Sequence, residues 1–125
     1  MKSAIATELR SGTFVMIGGK ACVIKNVDIS KTGKHGASKC RIEAQGIFDG
    51  KKRIIAVPGS ERFDIPIIDK RRGQVLSVTG NKASIMDLES FETLTVYIEE
   101  GLSVSDNMNV EYWSLGNEKM IKRIV

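Results

Sequence analysis

One lysine stands between two glycines in a run of small and basic residues, Ser30-Lys31-Thr32-Gly33-Lys34-His35-Gly36-Ala37-Ser38-Lys39. Glycines on both sides keep a loop thin and leave its backbone free to take positive φ, so the long side chain of Lys34 is what such a loop presents. Three chemistries are open to a lysine placed this way: binding phosphate, acting as a nucleophile, or serving as another enzyme's substrate. The first fails on spacing. A P-loop requires G-x-x-x-x-G-K-[ST]; with Gly33-Lys34 in the G-K slot, Asp28 stands where the first glycine belongs and His35 where Ser or Thr belongs. Gly19-Lys20 fails in the same way, with Phe14 and Ala21 in those two slots. The second fails on surroundings, because a nucleophilic lysine is activated by desolvation in a pocket and a loop tip is the opposite environment. His35 is the single histidine of the chain, and no carboxylate lies close to it in sequence to orient it. Neither a triad nor a metal site of the usual type has the residues it needs. The third chemistry stays open, beside the plain reading of a solvated tip.

The neighbourhood of the loop is basic. Lys25, Lys31, Lys34, Lys39 and Arg41 fall within 17 residues, with Asp28 as the one acid near them. Hairpins with basic tips reach nucleic-acid phosphates, and such contacts position a protein without reading sequence. The charge balance of the chain agrees: the net +4 divides into +6 over residues 1–68 and −2 over 69–125. A polyanion would be met by the first half. In the second half Phe91, Tyr97, Tyr112 and Trp113 are candidates for base stacking, but the acidic balance there removes the electrostatic funnel, and filling a small core is the expectation for all four.

The elements that must position the loop read as strands. Cys22–Ile29 and Cys40–Ile47 flank it, and the segment from Lys39 alternates in part, with Ile42, Ala44 and Gly46 against Arg41, Glu43 and Gln45, as a half-buried strand does. Further strands are predicted over 13–17, 53–57 and 62–68, divided by Gly18-Gly19, Asp49-Gly50 and Pro58-Gly59. Pro66 suits a strand end or an edge. The charged run Asp69-Lys70-Arg71-Arg72-Gly73 is the expected domain boundary, after which strands restart over 74–79, 82–88, 93–98, 109–114 and 118–124. Evenly spaced short strands with glycine turns argue for small closed barrels, which remove exposed sheet edges. An all-β chain of two small barrels is expected, with an OB-type barrel after residue 73 and one or two short helical turns unaccounted for.

With 42 % apolar and 27 % charged residues, the composition is that of a globular protein. No apolar run approaches the roughly 18 residues that cross a bilayer, and the first residues carry no secretory pattern, so an intracellular, cytoplasmic protein without membrane partners is expected. Cys22 and Cys40 both fall in apolar stretches and are expected as buried free thiols.

The segment Ser30–Lys39 closely resembles the modification loop of the hypusine-containing translation initiation factor 5A family, whose pattern is S-K-T-G-K-H-G, two variable residues and a lysine. Ser30 through Gly36 match it, Lys39 closes it, and Ala37-Ser38 depart from the His-Ala pair of eukaryotic members. Ile47-Phe48-Asp49-Gly50-Lys51-Lys52 and the stretch from Asp64 to Val75 are similar as well. The likeness runs over essentially the whole chain and is greatest to archaeal members. It implies an SH3-like barrel over residues 1–69 and an OB-fold over 70–125. It implies that Lys34 accepts an aminobutyl group from spermidine, within a loop of Lys31, Thr32, Gly33, His35 and Gly36, by the action of deoxyhypusine synthase. The NAD of that reaction belongs to the synthase, and the chain itself is expected to use no cofactor, no metal and no small-molecule substrate. The resemblance further implies binding to the ribosome, its rRNA and peptidyl-tRNA, where the modified side chain promotes peptide-bond formation and relieves stalling at proline runs. Lys31, Lys39 and Arg41 would hold RNA backbone. The rivals are an unmodified module that grips structured RNA with a basic hairpin and, less in keeping with the missing acid–base pair, an RNA-directed enzyme.

Overall fold

The computed structural model of the chain describes residues 2–31 and 38–125; Thr32, Gly33, Lys34, His35 and Gly36 lie outside the described residues. The chain divides into two compact units, Met1–Pro66 and Ile67–Val125. No helix among the described residues is long and apolar enough to cross a membrane.

In the first unit a four-stranded antiparallel sheet runs in the order β2 (Phe14–Ile17), β3 (Lys20–Lys31), β4 (Ser38–Gly46) and β5 (Lys52–Pro58). Gly18 and Gly19 both take positive φ (58° and 78°) in the two-residue turn that joins Ile17 to its partner Lys20, a conformation that glycine adopts without a Cβ penalty. A two-stranded sheet of β1 (Lys2–Ile5) and β6 (Arg62–Ile65) completes the unit, in the manner of an SH3-like barrel. Its core is aliphatic, built on Val15, Cys22, Ile24, Cys40, Ile42 and Ala44. Both thiols are free and buried, and burial pushes the Cys22 thiol up, against the opposing pull of Arg53. β1 and the 3-10 turn Ala6–Glu8 were not legible as elements. Lys-Ser-Ala-Ile is too short to alternate visibly, and the turn is fixed by Ile5 N donating to Glu8 Oε1 at 2.9 Å. β6 stops at Ile65, directly before Pro66.

The second unit is a closed five-stranded barrel in the order β10–β11–β9–β8–β7, over Asn109–Leu115, Glu118–Ile124, Thr93–Ile98, Lys82–Asp87 and Asp69–Thr79. β11 and β9 pair in parallel and the other neighbours antiparallel, the OB-type arrangement. The charged run 69–73 is a correction to the expectation from sequence. It is no linker: it is the first half of β7, paired with β10 through Lys70↔Trp113 and Arg71↔Tyr112. The strand is hidden in the sequence because Lys70 and Arg71, which read as solvated charges, are engaged by Trp113 and Asp87 of other strands. The division between units falls before it, between Pro66 and Ile67. Gly73 lies within the strand, where a Cβ would meet Ile85 Cδ1 at 3.0 Å and the Met86 carbonyl at 3.2 Å; its small size lets β7 and β8 approach.

Candidate functional site

The lysine loop is carried by the longest antiparallel pair of the first unit. β3 and β4 stay in register from Cys22↔Gly46 to Lys31↔Ser38, with one shift between Ile24 and Asn26. The last pair encloses residues 32–37, so Lys34 lies in a six-residue connection whose two ends are fixed by Lys31 and Ser38. β5 accompanies β4 only as far as the Lys39↔Pro58 pair. The end of the stem is also held from the side: Gly59 N donates to the Ser38 carbonyl at 2.9 Å, and a Cβ on Gly59 would overlap Ser38 Oγ and sit 2.9 Å from Thr7 Cγ2.

Alternation along the two strands sorts the basic side chains. Cys40 and Ile42 are buried, so Lys39, Arg41 and Glu43 share the opposite face of β4, and Ser30 and Asp28 accompany them through the pairs Ser30↔Lys39 and Asp28↔Arg41. Lys31, two residues beyond Ile29, belongs to the other face. The two lysines nearest the loop therefore leave the ribbon on opposite sides, both exposed, and neither has an acidic partner among the described residues. Arg41 differs. Its Nη1 lies 2.7 Å from Glu43 Oε1 and 3.9 Å from Asp28 Oδ2, so much of its charge is balanced within the stem. The predicted contact trio thus divides into two open lysines and one partnered arginine. Neither Glu43 nor Asp28 was singled out as a restraint on Arg41, although the period of two along β4 places Glu43 beside it.

The four aromatic residues of the second unit do not share one fate. Tyr112 is core, as expected. Its hydroxyl donates to Asp87 Oδ2 at 2.5 Å, and desolvation, with the neighbouring carboxylate, pushes its pKa up to about 12. Trp113 is half-buried, with Lys70 and Lys122 Nζ over its ring at 4.5 and 5.3 Å and its Nε1 donating to Glu111 at 2.9 Å. Tyr97 is exposed beneath Lys82 Nζ at 5.0 Å. Phe91 stands 70 % exposed. The expectation that all four fill the core is corrected for these three: outward strand positions and a loop position carry them to the surface.

Sequence reasoning also missed Asp87, 1 % exposed. It accepts from Arg71 Nε at 2.7 Å and Nη2 at 3.1 Å, from Tyr112, and from two backbone amides. The Arg71 guanidinium, followed by Tyr112 and those amides, holds its carboxyl far below the usual range against the desolvation that opposes it. The signal was present: Ala83, Ile85 and Asp87 occupy alternate, inward positions of β8. Among the described residues no cluster of His, Cys, Asp and Glu could hold a metal ion.

Proteins already characterised are similar to this chain in sequence and in fold. The family model described as "Translation initiation factor 5A-like, N-terminal" matches residues 2–61. Translation initiation factor 5A of Thermococcus kodakarensis is 44 % identical, over 94 % of this chain and 91 % of that protein. The factor of Methanosphaera stadtmanae is 44 % identical as well, over 97 % of this chain and 94 % of its own. Among solved structures, eukaryotic translation initiation factor 5A from Methanococcus jannaschii superposes with a TM-score of 0.88 at 38 % identity, covering 99 % of this chain and 94 % of that one. A factor 5A family protein from Naegleria fowleri gives 0.76 at 28 % identity, covering 98 % and 96 %. These relatives and the shared fold place the chain among translation factors of the small all-β class. The chain belongs to the translation initiation factor 5A family.

Proposed function

We propose that this protein binds the ribosome and promotes peptide-bond formation, relieving stalls such as those at proline runs, through an aminobutylated Lys34. The observation that carries the reading is the match of Ser30–Lys39 to the family's modification loop, set in a chain that belongs to that family and placed at the end of a stem closed by Lys31↔Ser38. Deoxyhypusine synthase would join the aminobutyl group of spermidine to Lys34 Nζ as a secondary amine, the rest of the spermidine leaving. The product is a longer, flexible dication. Lysine suits this because its amine can be alkylated, whereas arginine keeps charge but offers no such nitrogen.

The protein itself would perform no bond-making. Its contribution would be to hold the acceptor end of peptidyl-tRNA so that the reacting groups stay aligned, an entropic and electrostatic effect. Lys31 and Lys39, leaving the ribbon on opposite sides, could straddle RNA backbone, with Arg41 a weaker third contact. The intact mass of protein purified from its native cells tests the reading: a mass raised by one aminobutyl group on Lys34, with or without a hydroxyl, is expected. An unmodified Lys34 would refute it and leave the plain RNA-binding module. In the same cells, Lys34→Arg should leave the fold intact and abolish synthesis across proline runs, where a plain RNA contact would survive because the charge does.

A further inference from the structure

The loop between β8 and β9 exposes an aromatic ring in a conformation that the chain must be held in. Phe91 has φ 61° and is 70 % exposed; a bulky residue in the left-handed region is an outlier that glycine or asparagine would occupy with less strain. Every backbone N–H from Asp87 to Glu92 nevertheless has an acceptor. Asp87 N donates to the Glu92 carbonyl at 2.9 Å and Leu88 N to the Arg72 carbonyl at 2.9 Å. Glu89 N and Ser90 N reach Asp87 Oδ1 at 2.8 and 2.9 Å, Phe91 N the Asp87 carbonyl at 2.8 Å, and Glu92 N the Ser90 hydroxyl at 3.3 Å. A buried, ion-paired carboxylate thus builds a rigid loop whose most apolar side chain faces water. Filling the core is not what that ring does.

We propose that the loop 88–92 is a docking element for a protein surface that offers an apolar pocket rimmed by lysine or arginine. A side chain carried on a backbone already held in place costs less ordering on binding, and aromatic anchors are the residues that most often dominate interfaces. Leu88, 39 % exposed, adds apolar area on the same loop. The charge selects the occupant. Glu89, 3.7 Å from Arg71 Nη2 but with a side chain 73 % exposed, and exposed Glu92 flank the ring, a local reversal in a chain of net +4. Carboxylates there repel phosphates and complement a basic protein.

The proposal rests on the ribosome-binding reading only for where the partner is sought. Photo-crosslinking from p-benzoylphenylalanine placed at position 91 of the full chain, with purified ribosomes of its own cell, tests it. One crosslinked ribosomal protein is expected, resistant to ribonuclease and attached through a lysine- or arginine-rich segment. Crosslinks to rRNA alone, to a second copy of the chain, or to nothing while the factor is bound would overturn the proposal and leave the ribosome reading standing. A wild-type factor that binds no ribosome would overturn both. Phe91→Asn separates docking from folding: ribosome affinity should fall by at least about tenfold with the melting temperature unchanged or raised. Equal affinity, or a melting temperature that falls with it, would overturn the proposal.

Discussion

The connection between β3 and β4 and the loop between β8 and β9 are each six residues long or less, and they are made of opposite materials. The first, residues 32–37, is Thr, Gly, Lys, His, Gly and Ala; the stem on either side of it is held by the Lys31↔Ser38 pair and by Gly59 against Ser38. The second holds its own backbone through Asp87 and displays Phe91 between carboxylates. Under the proposed function the first loop would enter another enzyme's site and later a channel in RNA, and such a loop gains from small residues and from anchors set behind it. A loop that offers a fixed surface gains from an internal, buried anchor. The two plans fall one in each unit, and the charges differ with them: lysines border the first loop and glutamates flank Phe91 in the second.

Removing the internal anchor should give the largest effect. Asp87→Asn keeps the shape but leaves the Arg71 guanidinium with only the exposed Asp69 and Glu89 carboxylates at 3.7 Å, and breaking a buried pair costs about 3 kcal/mol. The second unit should lose that much stability, with amides of Glu89 and Ser90 exchanging faster, while exchange in β2–β5 of the first unit stays as in the wild type. Hydrogen exchange followed by mass spectrometry reads both units in one experiment. Equal loosening of both would mean that the two compact units unfold as one.

The two plans were unequally legible in the sequence. The lysine loop announced itself because its chemistry is contiguous: seven residues from Ser30 to Gly36 carry the motif, and the alternation in Lys39–Gln45 shows the strand beneath it. The turns at Gly18-Gly19 and Asp49-Gly50 were legible because glycine marks conformations that other residues resist. The acidic loop stayed hidden because its anchor is assembled from three strands: Arg71 on β7, Asp87 on β8 and Tyr112 on β10. In sequence Arg71 reads as one of four polar residues before a glycine, the pattern of a linker, and only its partner on another strand makes it structural. The neutralisation of Arg41 was hidden for a related reason, since Asp28 reaches it across the β3–β4 ladder.

Acid should separate the units by a smaller margin. In the first unit Asp49 accepts from Arg53 at 2.8 and 3.2 Å, and that hydrogen bonding lowers its pKa from 3.8 to about 2. A carboxylate depressed by folding adds stability above its unfolded pKa and loses it as pH falls through the folded value. The Asp49 contribution is therefore complete above its ordinary 3.8 and disappears on the way down to about 2. Asp87, held lower still by Arg71, should remain ionised when Asp49 is half protonated. Carboxyl carbon shifts followed by NMR would show Asp49 titrating first; the reverse order would mean that the buried network of the second unit is the weaker of the two.

The smallest effect distinguishes side chains within the basic hairpin itself. Each lysine that neutralises a phosphate contributes roughly one unit to the slope of log K against log salt. Lys31→Ala and Lys39→Ala should each lower the slope for ribosome binding by about that much, because neither charge is balanced by a neighbour among the described residues. Arg41→Ala should lower it by clearly less, since Glu43 at 2.7 Å already takes part of that charge. The pairing makes a reciprocal prediction: Glu43→Gln releases the guanidinium and should steepen the slope while leaving the fold of the stem unchanged. If Arg41→Ala flattened the slope as much as the lysine substitutions do, the ion pair would have to open on binding. The hairpin would then hold its third positive charge in reserve, in contrast to the Arg71 of the second unit, whose charge is committed to Asp87.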